Sequence, residues 1–524
     1  MTPTPPPPTR AASAASNPSG ASAPAPSARH GKKTRSSSPQ GISSDHSAWY
    51  RRRGSQEHAR SDCEPPIPLA WFQPCPPHRA SHRIDSTETD MKLKTLFTIG
   101  LPMIFAAGQA IALTDAEIDA SFNPYQAGPT TSPGITPGMK IDKSNAQKFR
   151  DIIDPATYAL IEQGKLEFPV EETHSIALHP NYIAATKKHS SQVKLGSATG
   201  TIEGYVAGRP FPGKPDKSDP RAGEKLAFNY KYAQIVGDSG RIYPFIWQYK
   251  DARSGKVERQ LEFDFNFLSF KHRTTQLPTA DIEPNPSKFY RGIYLKVLSP
   301  QDLKNTQLLI QRFDDDTKLD DSYLYLGFQR RVRRLATGQT TDSFLGSDLM
   351  IEDFEGYNGR VPDMDWKYVE TKVMLLPVYR HSEWKKTEPR DQMGYGQVQF
   401  DGQAQCFQNI PWSLRVVHVI EGVPVESRNP IGKRILYMDA QTSIFPIINM
   451  YDRKGALWKR WAIGFSDSAY HAPANQAAGI AIYTSASMLD VQAQHCTTLQ
   501  LRMISDPALS PPSIFSVQNL RGGD

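Results

Sequence analysis

The chain is poor in cysteine, in long apolar runs and in catalytic signatures. It holds four cysteines in 524 residues, which excludes a disulfide-dense scaffold and a cysteine-rich zinc module. Beyond residue 112 no apolar run approaches the ~20 residues that a membrane-spanning helix needs. Neither HExxH nor GxSxG occurs in residues 113–524, so the usual zinc-peptidase and serine-hydrolase signatures are missing. A surplus of charge is missing too. Of 61 Lys+Arg and 54 Asp+Glu, residues 1–112 hold 13 and 7, leaving 48 and 47 and a net charge of +1. The pI of about 9.0 is therefore no sign of nucleic-acid binding.

Residues 91–112, MKLKTLFTIGLPMIFAAGQAIA, form the most informative stretch. Lys92 and Lys94 give a positive start, Leu96 to Ala107 an apolar core, and Ala110-Ile111-Ala112 a small-x-small cleavage site. That is the anatomy of a secretory signal peptide. The competing reading is a membrane anchor, for which the core is short and holds Pro102. No cysteine follows the core, so no lipoprotein anchor is expected. Residues 1–90, rich in Pro, Ser and Arg, offer too few apolar groups to offset chain entropy. They read as a disordered extension outside the native product, and Cys63 and Cys75 with them. The expectation is a soluble periplasmic protein, residues 113–524, in which Cys406 and Cys496 can form one disulfide.

These 412 residues suit a single large domain. Near 144–164 a short helical hairpin is expected, with Ser144 and Gln147 as a capping box, Asp154-Pro155 opening the second helix and Gly164 ending it. Strand patterns then dominate. Residues 192–206 alternate around Val193, Leu195 and Ile202. In 258–270, Leu261, Phe263, Phe265 and Phe267 share one face opposite Glu262, Asp264 and Asn266. Further strands are expected near 291–298, 306–313, 323–334, 366–379, 412–420, 433–438, 444–451 and 456–464. Short polar turns between them imply antiparallel pairing, since a parallel crossover needs about a dozen residues.

Three apparent motifs fail on their chemistry. Gly208 to Lys214 nearly spells a phosphate loop, but Pro215 stands where Ser or Thr is needed, and Pro210, Pro212 and Pro215 remove backbone donors. Asp314–Asp316 with Asp320 and Asp321 lacks the Gly and Glu of a calcium loop, with Leu319 and Tyr325 in their places; a solvated hairpin turn fits better. His418 and Glu421 sit on opposite faces of a strand. A carboxylate pair for glycan hydrolysis would have to be recognised in three dimensions.

Tyr323 to Leu335 (YLYLGFQRRVRRL), then Phe344 to Phe354 (FLGSDLMIEDF), the block 204–230 and the closing stretch 433–461 occur in a distinctive order. Together they resemble the proteobacterial domain-of-unknown-function family 1329, of the outer-membrane lipoprotein-sorting-like (LolA/LolB-like) superfamily. The resemblance spans nearly all of 140–510. It implies a mainly β fold, a large curved antiparallel sheet forming an incompletely closed barrel under a few covering helices. It also implies a non-enzymatic periplasmic carrier for a lipid, a lipoprotein acyl chain or a similar hydrophobic molecule. No cofactor or metal is implied. A resistance-nodulation-division type exporter or an outer-membrane receptor is the expected partner, and nucleic acid is not.

A carrier needs apolar area, at roughly 0.8 kcal/mol per buried methylene. Tyr243, Phe245 and Trp247, then Phe263, Phe265 and Phe267, and later Trp412, Phe445 and Trp458 are the candidate cavity residues, with core packing as the alternative for each. The polar set is Arg331, Arg333 and Arg334 with Asp348, Asp353 and Glu370. It reads first as cross-strand pairing that fixes the sheet, second as a grip on a headgroup or partner. Two rival functions are a periplasmic hydrolase of lipid or glycan, and a ligand-free adaptor in an export complex.

Overall fold

In a computed structural model, residues 113–128, 130–336, 340–384 and 394–521 are described. The disordered extension and signal peptide expected at 1–112 lie outside them. Thirteen strands carry the fold: β1 Ser239–Asp251, β2 Val257–Ser269, β3 Phe289–Ser299, β4 Gln307–Phe313, β5 Asp321–Leu326, β6 Arg331–Arg334, β7 Met364–Leu376, β8 Trp412–Pro424, β9 Ile431–Asp439, β10 Ile447–Asp452, β11 Leu457–Asp467, β12 Ala481–Asp490 and β13 His495–Ile504.

They belong to a 16-stranded sheet that runs β8 through β13 in chain order, then from β13 to β1, and on through β6. The last long strand thus pairs with the first, Leu499 opposite Trp247, and joins two meanders into one surface. The short strands Lys140–Ile141 and Phe168–Glu171 extend it beyond β8, while β7 also pairs with β8. Pairing is antiparallel except at two short contacts, Phe168–Glu171 with β8 and Val378–Tyr379 with β11. The two ends do not meet, so the barrel is incompletely closed. Among the described residues no helix is long and apolar enough to cross a membrane.

Local chemistry explains most elements. In β2, Leu261, Phe263, Phe265 and Phe267 are buried while Glu262 and Asp264 are half-exposed, the alternation of a strand with one face on the core. The helix Pro155–Glu162 starts where Asp154 accepts the Thr157 N–H at 3.1 Å, with Pro155 in the first turn. The segment before it, Ala146–Ile152, is a 3-10 helix, and the Ser144–Gln147 capping box does not form. Ser144 instead binds Asp142, and Gln147 accepts from Tyr158. Residues 192–206 yield only two two-residue strands, Lys194–Leu195 and Ile202–Glu203.

The aspartates of 314–321 do turn the chain between β4 and β5, but only Asp315 is a solvated group. Asp314 pairs with Lys271 and His272, Asp316 with Lys231 at 2.8 Å, and Asp320 with Arg312 at 2.7 Å. The neighbouring basic side chains supply counter-ions that no local reading of the acidic run reveals. Cys406 and Cys496 are joined, with Cα atoms 6.0 Å apart. This ties the segment just before β8 to β13.

Candidate functional site

The two faces of the sheet have different covers. On one face, Phe245 and Trp247 of β1, Phe265 and Phe267 of β2, Trp461 of β11 and Tyr483 of β12 bound a small apolar cavity of about 40 Å³. Register puts them together: Trp247 is opposite Leu499 and Leu261, and Ile242 is opposite Phe265. An irregularity between Ile242 and Phe245 takes Tyr243 and Pro244 out of step. Ile242 therefore holds the place that strict alternation would assign to Tyr243, which is half-exposed beneath Arg241. Proline has no N–H for the ladder, and a bulge is a common way to accommodate it.

What fills the hollow is the chain itself. Between β6 and β7, residues 344–357 cross this face as short 3-10 turns rather than as a strand. Phe354 packs edge-on against Trp247, Phe265 and Phe344, at 6.1, 5.8 and 5.3 Å between ring centres. Leu349 completes the wall. Gly346 allows the first turn because its φ is +81°; a Cβ there would meet nothing within 4 Å, so backbone conformation rather than space selects glycine. The helix Ala222–Lys231 lies beside this plug. Its Tyr230 stacks on Phe445 at 4.2 Å and accepts the Tyr357 N–H at 2.9 Å.

Four acidic side chains hold the plug, Glu352 among them at 3.5 Å from Arg434. Asp348 Oδ2 lies 2.7 Å from His495 Nδ1 and accepts from Thr497 at 2.7 Å. Asp353, fully buried, meets Arg434 of β9 at 2.7 Å and accepts the Met350 N–H at 2.9 Å. Glu355, at φ +60°, meets Arg291 of β3 at 2.5 Å. Its carbonyl accepts from Tyr230 and Tyr483 at 2.8 and 2.7 Å. Burial raises the Glu355 carboxyl pKa and Arg291 lowers it. Asp348 raises the pKa of His495.

The expected pairing of this polar set is thus corrected. Arg331, Arg333 and Arg334 do not meet Asp348, Asp353 or Glu370. They form the terminal strand β6, exposed at the edge of the sheet, where Arg334 pairs with Asp321 and Arg333 donates to Gln329. Charged edge strands resist pairing with other chains. Glu370 lies 3.4 Å from Lys372 on β7. The separation follows from the turns after β6, which carry Asp348 and Asp353 inward across the sheet.

Of the aromatic candidates, Phe245, Trp247, Phe265 and Phe267 line the hollow, and Phe263 packs against Trp247 and Phe245. Phe445 lies under Tyr230. Trp412 stacks on Phe168 at 4.2 Å, and Trp458 donates to Asp490 at 2.8 Å, both away from the hollow. Sequence reasoning missed Phe344, Leu349, Phe354 and Glu355 as parts of one plug. The signal was present as an apolar residue every few positions without the period of a helix or strand.

A larger cleft of about 850 Å³ lies at the β5 edge, bordered by Asp320, Arg360, Asp363, Glu426 and Arg428. Its charges pair locally, Arg360 with Asp363 and Arg428 with Glu426. Among the described residues no group of three or more His, Cys, Asp or Glu could hold a metal ion.

The sequence pattern of the family described as "Protein of unknown function (DUF1329)" matches residues 140–521. The uncharacterized protein PA3922 of Pseudomonas aeruginosa is 25% identical over 335 residues, 62% of this chain and 68% of its own. Among solved structures, a DUF1329 family protein of Desulfovibrio piger is 17% identical with a TM-score of 0.39, covering 58% of this chain and 99% of its own. A LolA superfamily protein of Nitrosomonas europaea is 11% identical with a TM-score of 0.33, covering 57% and 98%.

Proposed function

This chain belongs to the DUF1329 family, and from that premise we propose that it is a periplasmic carrier whose hydrophobic cargo replaces the plug. The observation that supports this reading is the mismatch between the aromatic sheet face and its cover. The face is a continuous sheet, whereas the cover is one irregular segment held by four acidic side chains. A hollow of about 40 Å³ holds no acyl chain, so binding requires Phe344, Leu349 and Phe354 to leave. Burying the apolar chain of the cargo against the same face, at roughly 0.8 kcal/mol per methylene, opposes the cost of re-exposing these side chains and parting the plug's ion pairs. Delivery would go to an exporter or an outer-membrane receptor.

The test is titration of the purified chain with a neutral long-chain probe, a pyrene-labelled alcohol, read by quenching of tryptophan. Saturable uptake near one probe per chain is expected. Phe354→Ala weakens the plug and should tighten binding about tenfold, and Leu349→Ala should act in the same direction. Phe265→Asp should abolish binding. Absence of saturable uptake in folded wild type and in both plug variants would overturn the reading.

A further inference from the structure

The opposite face of the sheet holds a different kind of hollow. Among the described residues five arginines are almost wholly buried: Arg209, Arg273, Arg415, Arg434 and Arg460. Arg415 closes on Asp439 at 2.6 Å and Arg434 on Asp353 at 2.7 Å. Arg209 and Arg273 donate to backbone carbonyls, Gln441 and Ser121 for the first, Pro278 and Ser269 among others for the second. Arg460 has neither kind of partner. Its Nε donates to Thr157 Oγ1 at 2.8 Å, and its Nη2 is buried without a partner. The nearby buried Asp154 spends Oδ1 on Thr157 N–H and Asn449 Nδ2 while its Oδ2 is buried without a hydrogen-bond partner; its charge acts on Arg460 from a distance, and the two form no ion pair among the described residues. Burial lowers the Arg460 pKa, partly opposed by Asp154. Leaving a cation desolvated without a counter-ion costs several kcal/mol, and buried donors are otherwise nearly always satisfied.

Arg460 also lines a cavity of about 310 Å³ beneath the helix Pro155–Glu162 and beside the disulfide. This is the lower end of the roughly 300–1,000 Å³ of ligand pockets. Ala159, Leu160, Phe407, Leu457, Leu489 and Val491 supply apolar wall. Lys165 is a second cation at its border, and among the described residues no acidic side chain lines it. We propose that this cavity binds a carboxylate on a short apolar chain, a medium-chain fatty acid, with the carboxylate seated on the Arg460 guanidinium. A planar guanidinium offers two parallel donors that match the two oxygens of a carboxylate, and the aliphatic wall takes the chain. Trp461, the next residue along β11, lines the plugged hollow on the other face. The site is therefore separate from the proposed cargo hollow, and the two readings stand or fall independently.

The experiment is calorimetric titration of the full, oxidised chain with octanoate, octanol and octylamine, for wild type, Arg460→Met and Ala159→Trp. Octanoate should bind near one per chain and at least ten times more tightly than octanol, with no heat from octylamine. Arg460→Met should weaken octanoate tenfold or more while the thermal midpoint of the ligand-free protein holds or rises. A purely structural arginine would lower that midpoint and leave octanoate unaffected. Ala159→Trp, which fills the cavity and keeps the arginine, should also remove binding. Absence of saturable octanoate heat in wild type, equal binding of octanol, or octanoate binding unchanged in both variants overturns the proposal. The neutral long-chain probe reports on the plugged face in the same samples, so failure of one site is distinguishable from failure of the other.

Discussion

Arg434 and Arg460 sit on the same sheet, equally hidden from water, and are treated in opposite ways. Arg434 faces the plug and receives Asp353 at 2.7 Å and Glu352 at 3.5 Å from it. Arg460 faces the helix Pro155–Glu162 and receives one hydroxyl, with the Trp412 ring 6.0 Å from its guanidinium. On the plugged face Arg434 and Arg291 receive carboxylates that arrive with the plug, and the buried Lys459 donates to the Asp348 carbonyl. On the other face Arg460 has no ion pair until the proposed carboxylate arrives, Asp154 acting on it only from a distance. The comparison separates a hollow closed by the protein's own segment from a hollow left for a ligand.

The largest expected effect comes from breaking the pair that is made. Asp353→Ala leaves the buried Arg434 with only Glu352 at 3.5 Å and frees the middle of the plug. Removing one member of a buried ion pair costs about 3–5 kcal/mol, and the remaining Glu352 places this variant near the lower end. Urea unfolding should show that loss, and uptake of the neutral probe should rise in the surviving folded protein. A loss under about 1 kcal/mol would mean that Asp353 does not hold the plug.

Arg460→Met sharpens the same comparison from the other side. Replacing a buried charge by an apolar side chain of similar length is often neutral, or stabilising by about 1–4 kcal/mol. The ligand-free chain should therefore be no less stable in urea. Two buried arginine sites, one destabilised by loss of its partner and one relieved by loss of its charge, would establish that their difference lies in the counter-ion. A destabilisation of Arg460→Met as large as that of Asp353→Ala would erase the distinction.

The sheet was legible where only one of its faces is buried. β2 alternates cleanly, and β3, β4 and β8 to β11 fall where their patterns place them. β12 was not legible, because all ten of its residues are buried and its Ser, Thr and Ala leave no period-two contrast. The helix Ala222–Lys231 begins at Arg221 without a side-chain cap, which removes the usual start signal. Its Gly223 lets it approach β7 so closely that a Cβ would lie 2.6 Å from the Trp366 backbone. At the candidate site, Phe245, Trp247, Phe265 and Phe267 could be read from alternation. The plug could not, since its Phe344, Leu349 and Phe354 follow no regular period. Arg460 carried no signal at all: a buried arginine in a strand looks like an exposed one until its partners can be counted.

The smallest expected effect lies at the rim of the plug and depends on pH. The hydrogen bond to Asp348 raises the His495 pKa above its ordinary 6.5, against the opposing effect of burial, and the charges of Asp348 and Glu258 add to the rise. A histidine whose folded pKa is raised stabilises the fold fully below its unfolded value, and that contribution fades as pH climbs through the folded one. The Asp348 anchor is therefore strongest below about pH 6.5 and loosens toward alkaline pH. The site is partly open to solvent, so the contribution is about 1 kcal/mol or less. Uptake of the neutral probe should accelerate about two- to fivefold between pH 6 and pH 8.5, and His495→Gln should flatten that profile. A profile that keeps its slope in His495→Gln would place the titrating group elsewhere and leave Asp353 and Glu355 as the anchors that set release.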